Sequence, residues 1–303
     1  MRILLIGPTA VGKTALSLKL AQAVDAEIIS ADSRQCYRYL DIGTAKPDEG
    51  ELEKVPHYNI SILDPETEDS AVDFYERAMQ WEQEIEKRGK NVLYVGGSTL
   101  HVQSLIKPFD DVPEADEGNI EELEQRLADE GVEALYAQLE EVDPRYAEKM
   151  DGMNPQRILR ALDVWMQTGK AFSSFHSDDE IEISGDTYVF GLKRDRQRLY
   201  KRINKRVDRM FERGFLDEVS GLLERGYTRD TRALNSVGYR DAIDYLEGKK
   251  TREEMVRDMK TQTRRYAKRQ ITWFKRWDFV KWIDLDEHSN EEVLDIILEQ
   301  LEN

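Results

Sequence analysis

The chain has 303 residues, which is enough for a complete α/β core and a second, smaller domain. Its single cysteine, Cys36, excludes an internal disulfide framework and a zinc site built from several cysteines. No apolar run reaches the length of a membrane span and no signal peptide precedes the first predicted strand, so we expect a cytoplasmic protein with no membrane partner. The net charge of −17 argues, as a sum, against a nucleic-acid partner.

A phosphate-binding loop is the clearest feature of the sequence and lies in its first stretch, MRILLIGPTAVGKT. The apolar run at residues 4–6 predicts a buried strand, and ALSLKLAQAV has the apolar spacing of a helix. The pattern G-x-x-x-x-G-K-T between a strand and a helix is typical of a P-loop, whose N–H groups and helix dipole bind phosphate. Lys13 would bring charge to a di- or triphosphate, and the Thr14 hydroxyl would complete the shell of a Mg²⁺ ion. The predicted phosphate site comprises Gly7, Pro8, Thr9, Ala10, Val11, Gly12, Lys13 and Thr14.

A carboxylate, Asp32, follows the second predicted strand, residues 27–31. The helical pattern at 70–88 before a third strand at 91–95 favours a parallel sheet, whose ligands lie at the carboxyl ends of the strands. Asp32 therefore faces the phosphate loop as a metal ligand, a general base or a cap for the turn. No acidic residue follows the third strand, which weakens the interpretation as an ordinary ATPase.

The middle of the chain predicts a separate helical domain. Residues 111–185 are acidic, rich in helical patterns and interrupted by proline and glycine, so we predict a helical insertion into a core formed by 1–110 and 186–303. The predicted fold class is α/β, with a P-loop NTPase-like parallel sheet, helices on both faces and an inserted all-helical subdomain. In the segment NPQRILRALDVW, Ile158 belongs to an apolar stripe. Arg157 and Arg160 share a helix face that is either a salt-bridge patch or a phosphate contact.

Two basic segments, 193–213 and 249–276, stand out in this acidic chain. A single basic run is usually a solvated helix face, but two of them in a chain of this charge favour a polyanion partner. The second segment ends in YAKRQITWFKRW, where aromatic and basic residues alternate. Its aromatic side chains are either core residues or platforms for base stacking.

Taken together, these motifs resemble the bacterial tRNA dimethylallyltransferase family, also called tRNA isopentenyltransferase. The stretches that carry the resemblance follow the family's order from residue 1 to about 285. They are GPTAVGKT, ISADSRQCYRYLDIGTAKP, VPHYNISILDP, YVGGSTL, NPQRILRALDVWMQTGK, SVGYRDA and YAKRQITWF.

The resemblance implies transfer of a dimethylallyl group from dimethylallyl diphosphate to N6 of the adenine at position 37, 3′ to the anticodon, with release of diphosphate. It implies that Asp32 is the general base, that Arg206 faces the diphosphate, and that Lys13 and Thr14 act on it with Mg²⁺ as cofactor. The implied partner is the tRNA anticodon stem-loop, and we expect a monomer because no sustained apolar surface stripe is left over. The implied tRNA contacts are Asp32, Ser33, Arg34, Gln35, Ser98, Gln156, Arg157, Ile158, Leu159, Arg160, Asn235, Gly238, Tyr239, Arg240, Lys268, Arg269, Gln270 and Trp273.

The sequence departs from the family pattern at three positions. His101 stands where the family usually has Tyr or Phe, Ser61 replaces an Asp, and Ile120 is the nearest counterpart of an Arg that touches RNA. We therefore expect a different packing or tRNA contact at the first and a missing RNA contact at the last. Two other functions remain open on the residues alone. They are a small-molecule or nucleoside kinase and a non-catalytic P-loop protein that binds RNA.

Overall fold

A six-stranded parallel sheet forms the centre of the fold. The computed structural model describes residues 1–107, 112–175, 183 and 185–302. The strand order is β3-β2-β4-β1-β5-β6, and every neighbouring pair is parallel. This arrangement confirms the predicted fold class. The strands are β1 (Arg2–Ile6), β2 (Ala26–Ala31), β3 (His57–Tyr58), β4 (Asn91–Gly96), β5 (Thr187–Lys193) and β6 (Lys281–Asp284).

The chain divides into two compact units. Unit 1 comprises Met1–Lys107 and Glu182–Asn303, and unit 2 comprises Pro108–Ile181. Both ends of unit 2 lie a few residues before those predicted for the helical insertion, 111–185. The first predicted boundary, at residues 110 and 111, lies outside the described residues.

Alternating side chains of the unit 1 strands cover two faces of the sheet. On one face, Ile3 and Leu5 pack in a buried cluster with Leu16 of the helix that follows the phosphate loop. On the other face, the Tyr94 hydroxyl reaches the helix that precedes β4 and donates to the carbonyl of Ala78 at 3.5 Å. The helices of unit 1 are α1 (Lys13–Ala23), α2 (Glu49–Leu52), α3 (Ala71–Lys87), α4 (Thr99–Ile106), α9 (Arg196–Glu212), α10 (Phe215–Glu224), α11 (Tyr239–Leu246), α12 (Arg252–Phe274) and α13 (Asn290–Glu302).

Unit 2 is a small helical bundle with a core of its own. Leu123, Leu135, Leu139 and Leu162 are fully buried in it. The last helix begins at the cap Asn154, whose side chain accepts from the Arg157 N–H, and ends at a left-handed glycine. The helices of this unit are α5 (Glu117–Glu130), α6 (Val132–Val142), α7 (Pro144–Lys149) and α8 (Pro155–Thr168).

A second hydrophobic cluster of unit 1 positions the helices beside the phosphate loop. It joins Cys36, Tyr37 and Leu40, which follow β2, to buried residues of α9–α12. Because this cluster fixes α9 and α12 against the segment after Asp32, the two basic helices lie next to the carboxyl ends of the strands.

Candidate active site

The phosphate loop joins β1 to α1 through an unusual backbone conformation. Gly7 has a φ of 151°, and a Cβ there would lie 2.8 Å from the Leu192 carbonyl oxygen. Ala10 has a φ of 64°, which an L-residue adopts at a cost of about 1–2 kcal/mol. A loop in this conformation depends on contacts from the rest of the chain.

Lys13 lies over the loop and bonds to its carbonyl groups. Its Nζ donates to the oxygen of Gly7 at 2.8 Å and to that of Pro8 at 3.0 Å. Burial lowers the pKa of Lys13 to about 8, the charge of Asp32 opposes that shift, and the charge of Arg206 adds to it. The ammonium group is therefore held at the loop, and its pKa lies closer to neutral pH than that of an ordinary lysine.

Two arginines hold the loop from the side of α9. Arg202 Nε donates to the Ala10 oxygen at 2.8 Å, and Arg194 Nε donates to the Val11 oxygen at 2.9 Å. Arg194 is itself fixed by an ion pair with Asp286 at 2.7 Å. Neither Arg194 nor Arg202 was singled out from the sequence, although both belong to the first basic segment. Their partners are carbonyl groups of the loop, which no sequence pattern identifies.

Asp32 directly follows β2, and of the three roles that the sequence left open the structure shows the cap. Its Oδ1 accepts from the N–H groups of Arg34 at 2.9 Å and Gln35 at 3.4 Å, so the side chain caps the turn. The same residue lines a cavity beside the phosphate loop. The carboxylate also opposes the burial-driven fall in the pKa of both Lys13 and Arg206. Capping therefore orients this carboxylate toward two cationic groups.

The cavity has a volume of about 430 Å³ and lies within unit 1. One part of its wall is apolar and comprises Val207, Met210, Phe215 and Met259. The structure brings together ten of the site residues predicted from the sequence around it. They are Thr9 of the phosphate loop, Asp32, Ser33, Arg34, Arg206, Asn235, Gly238, Tyr239, Arg240 and Arg269.

Arg206 and Arg240 line this cavity, and each has one buried donor without a partner among the described residues. Arg206 Nη2 donates to the Thr44 oxygen at 3.2 Å, but its Nε is buried and has no hydrogen-bond partner among the described residues. Burial lowers the pKa of Arg206, and the charge of Asp32 opposes that shift. Arg240 Nε is likewise buried without a partner in the described part of the chain. Unpaired buried donors are costly, which makes this wall of the cavity favourable for an anion.

A hydrogen-bonded group of side chains lies next to Asp32. Ser98 Oγ accepts from the Ser33 N–H at 2.9 Å and donates to Ser33 Oγ at 3.0 Å. Burial raises the pKa of Tyr266 to about 12, and a hydrogen bond between the side chains of Tyr266 and Ser98 opposes that shift. Tyr266 lines the cavity but was absent from the predicted site. Its position within a basic, aromatic segment was the signal that could have identified it.

Two residues predicted to contact tRNA, Gln35 and Tyr239, form hydrogen bonds inside unit 1. Gln35 accepts from Ser30 Oγ at 2.9 Å, and its amide nitrogen lies 3.3 Å from the Ala45 oxygen to which it donates. Tyr239 is 1% exposed, and its hydroxyl donates to Glu218 at 2.7 Å. Glu218 in turn accepts from the Ile42 N–H at 2.6 Å. These side chains shape the segment after β2.

The end of α12 carries four predicted tRNA contacts, and these residues differ in their exposure to solvent. Lys268 and Arg269 are exposed, and Trp273 is partly exposed beneath the guanidinium of Arg276. Gln270 is only 3% exposed and bonds within the protein. Three of these residues are therefore accessible on α12, and the side chain of Gln270 is not.

Five predicted tRNA contacts belong to α8 of unit 2 and not to the cavity. Gln156 and Arg157 are exposed. Ile158 and Leu159 are buried in the core of that unit, and the tRNA contacts that the resemblance implies for them stay predictions. Arg160 pairs with the buried Asp163 at 2.7 Å and also donates to the Pro113 oxygen. Of the two interpretations of Arg160, the structure shows the salt bridge.

The three departures from the family pattern have structural roles. His101 is 4% exposed and stacks on Phe74 with ring centroids 4.3 Å apart, and burial lowers its pKa to about 3. Ser61 Oγ accepts from Lys46 at 2.8 Å. Ile120 packs against the core of unit 2. At all three positions the side chain is occupied with packing or an internal hydrogen bond.

A magnesium ion fits this site only in a particular way. Among the described residues, no group of three or more His, Cys, Asp or Glu side chains is arranged to hold a metal. The Thr14 side chain, on the first turn of α1, is exposed. Because Mg²⁺ commonly binds through few protein ligands, phosphate oxygens and water, the residues present fit an ion that arrives with its phosphate ligand.

Among the described residues, no helix is both long and apolar enough to cross a membrane.

Comparison with protein families and relatives places this geometry in context. Residues 35–277 match the family described as IPP transferase. A tRNA dimethylallyltransferase of Bacillus mycoides is 44% identical over 292 residues, which are 96% of this chain and 92% of that protein. One from Clostridioides difficile is 43% identical over 290 residues, with 95% and 93% covered.

Solved structures agree with these sequence relatives. The full-length tRNA isopentenylpyrophosphate transferase of Bacillus halodurans is 39% identical, with a TM-score of 0.72 over 99% of this chain and 96% of that one. A eukaryotic dimethylallyltransferase, whose structures are described as snapshots of the enzyme acting on tRNA, is 28% identical. Its TM-score is 0.84, with 100% of this chain and 80% of that chain covered.

Proposed function

This chain belongs to the IPP transferase family, and we propose that it transfers a dimethylallyl group from dimethylallyl diphosphate to N6 of the adenine at position 37 of tRNA. One observation carries the proposal beyond family membership. Thr9 of the phosphate loop, Asp32 and an apolar wall line one cavity of about 430 Å³. These are the three parts that an alkyl transfer from a diphosphate to an amine requires.

The loop and its basic neighbours would receive the leaving group. In the reaction, the bond between the allylic carbon and the diphosphate oxygen breaks, and its electron pair leaves with the diphosphate. Lys13 and the guanidinium of Arg206 would stabilise the charge that grows on those oxygens. The apolar side chains of Val207, Met210 and Met259 would seat the five-carbon group and exclude water.

Asp32 would act on the nucleophile. The exocyclic nitrogen of adenine is a poor nucleophile, and the new carbon–nitrogen bond requires loss of an N6 proton. Asp32 lines the cavity, and the turn fixes only its Oδ1 among the described contacts, so its other oxygen can accept that proton. The target base has to leave the loop stack to reach the cavity, which costs little in a single-stranded anticodon loop.

A Mg²⁺ cofactor is part of the proposal. Thr14 would contribute its hydroxyl, and the diphosphate and water would complete the coordination. The ion would supply charge neutralisation to the leaving diphosphate.

The anticodon stem-loop is the proposed partner, and basic residues support it. Arg269 and Arg240 line the cavity, and Lys268 is exposed on the same helix as Arg269. These cations form a basic surface on an acidic chain, and such a surface suits a phosphate backbone. We further propose that the protein acts as a monomer, which size-exclusion chromatography with light scattering checks.

A prenyl-transfer assay tests the proposal. Purified protein, Mg²⁺, radiolabelled dimethylallyl diphosphate and unmodified tRNA are combined, and label in the RNA is counted. We expect label only in tRNA that has adenine 3′ to the anticodon. Absence of label with consumption of ATP in a parallel tube would favour a kinase. RNA binding without either reaction would favour a non-catalytic RNA-binding protein.

A further inference from the structure

Gln270 connects the phosphate loop to the end of β4 from the interior of the protein. It lies on α12, and its side chain is 3% exposed. Its Oε1 accepts from the N–H of Thr9 at 2.9 Å, and its Nε2 donates to the oxygen of Gly97 at 2.7 Å. One amide group therefore holds two segments that lie far from it in the sequence.

The glycine after β4 makes room for this side chain. A Cβ at Gly97 would lie 2.5 Å from the Gln270 amide nitrogen and 2.8 Å from the Gly7 oxygen. A contact that close would displace Gln270 or the phosphate loop. The second glycine of YVGGSTL is therefore explained by the approach of Gln270 and of the loop, and not by a requirement of the strand.

The contact to Thr9 acts on the part of the loop that needs support. Thr9 directly precedes Ala10, which has the left-handed φ of 64°. Arg202 of α9 and Arg194, which precedes that helix, donate to the next two carbonyl groups. Gln270 holds the loop from the other helix, α12. A phosphate site depends on N–H groups that point in fixed directions before the ligand arrives, so these contacts prepare the loop for an anion.

We propose that Gln270 is a positioning residue for the diphosphate, and that it keeps the phosphate loop in its binding shape and does not contact tRNA. The identity of the ligand as a diphosphate rests on the proposed function. Because the two bonds of Gln270 are internal, its loss acts on diphosphate affinity and leaves tRNA affinity unchanged. This separates it from Arg269, its neighbour on the surface of α12.

Two substitutions at this position test the proposal. Gln270→Met keeps the length of the side chain and removes both hydrogen bonds. Gln270→Glu keeps an acceptor for the Thr9 N–H and removes the donor to the Gly97 oxygen. The matched control is Gln167→Met on α8, which also removes amide bonds, because Gln167 Nε2 donates to the Glu114 oxygen and to Asp163, each at 2.8 Å. Gln167 lies in unit 2, outside the phosphate loop and its cavity.

Binding of two separate probes gives the decisive readout. Inorganic diphosphate with Mg²⁺ is titrated calorimetrically, and tRNA affinity is measured by filter binding without diphosphate. We expect Gln270→Met to weaken the binding of inorganic diphosphate about tenfold, while its affinity for tRNA stays within about twofold of the wild type. Gln270→Glu should also weaken diphosphate binding, because its carboxylate cannot donate to the Gly97 oxygen and adds a negative charge beside the loop. Gln167→Met should change neither affinity. In the transfer assay, KM for dimethylallyl diphosphate should rise more than kcat falls.

The opposite pattern would overturn the proposal. If Gln270→Met weakens tRNA binding and leaves the affinity for inorganic diphosphate unchanged, Gln270 is a tRNA contact. If the Met variant fails to fold, the Glu variant and amide hydrogen exchange of the wild type decide, because the Thr9 amide should be protected without ligand. Fast exchange at Thr9 contradicts the proposal. A wild-type protein that binds inorganic diphosphate but transfers no prenyl group refutes the proposed function, and the variants still decide the role of Gln270.

Discussion

At the scale of single residues, the same side chain often has a local and a chemical role. Asp32 caps a turn and lines a cavity, and Lys13 donates a hydrogen bond to a carbonyl group of the phosphate loop. In both cases an internal hydrogen bond fixes a charged group in the position that the proposed reaction uses. Substitutions at these residues therefore have to separate structure from chemistry.

Asp32→Asn makes that separation. The Asn side-chain oxygen can still accept from the Arg34 N–H, so the turn should keep its cap while the general base is lost. We expect kcat for prenyl transfer to fall by about 10²–10⁴, the usual contribution of a general base, with little change in tRNA affinity. Single-turnover kinetics and filter binding measure the two quantities. A collapse of tRNA affinity with an unchanged rate constant would make Asp32 a residue that reads the base.

The pKa of Lys13 predicts a pH dependence. In the free protein that pKa is about 8, so the ammonium form predominates below this pH and the neutral amine above it. Since the charged form attracts the diphosphate, kcat/KM for dimethylallyl diphosphate should fall as the pH rises through about 8. Bound diphosphate favours the ammonium form, so kcat at saturation should fall only at higher pH. A kcat/KM that stays level across this range would contradict the prediction, and tRNA affinity at each pH serves as the control.

At the scale of elements, α8 shows how one helix divides its residues between a core and a surface. It runs over Pro155–Thr168, where a capping Asn, an early proline and a final glycine mark its ends. Apolar spacing predicted correctly that Ile158 is buried. The resemblance to the family had instead placed Ile158 and Leu159 among the tRNA contacts. The two arginines of this helix also differ, because Arg160 pairs with the buried Asp163 and Arg157 is exposed.

Arg160→Ala and Arg157→Ala form a matched pair on α8. Loss of Arg160 removes the cationic partner of the buried Asp163, which keeps its bond from Gln167, so we expect a loss of about 1–3 kcal/mol in the free energy of unfolding. Arg157 is exposed, and its replacement should change stability by less than about 0.5 kcal/mol. Urea denaturation measures both. In filter binding, Arg157→Ala should lower the affinity for tRNA more than Arg160→Ala does. The reverse order would assign the phosphate contact to Arg160.

At the scale of the whole molecule, the distribution of charge matters more than its sum. The chain carries a net charge of −17, yet arginines of α9 and α12 surround the phosphate loop and the cavity. Acidic residues concentrate in the sequence segment that forms unit 2. A local basic surface can therefore bind a polyanion although the protein as a whole is acidic.

The salt dependence of tRNA binding tests this charge distribution. Each phosphate neutralised by Lys or Arg releases bound counterions, so the logarithm of the tRNA association constant should fall linearly with the logarithm of salt concentration. Arg269→Ala should reduce the slope by about one phosphate contact if Arg269 lies on the backbone. Filter binding over a salt series measures the slope. A level response would mean that the basic segments are ordinary solvated helices.

The sequence alone determined the features that depend on neighbouring residues. The phosphate loop, the parallel α/β class and the placement of Asp32 after β2 follow from motifs and periodicities that span a few residues. The family resemblance, which the matched relatives confirm, rests on such motifs as well. Strand β3 escaped prediction because two residues have no periodicity and pair only through their neighbour, β2.

Only the tertiary structure decided which side chains meet. Gln270 and Thr9 lie 261 positions apart, and Arg194 and Val11 lie 183 apart, so no local pattern relates them. A basic or amide side chain has several possible partners, and the packing of α9 and α12 against the sheet selects one. The family resemblance implied Gln270 as a tRNA contact, whereas the structure places its side chain in the interior against the phosphate loop.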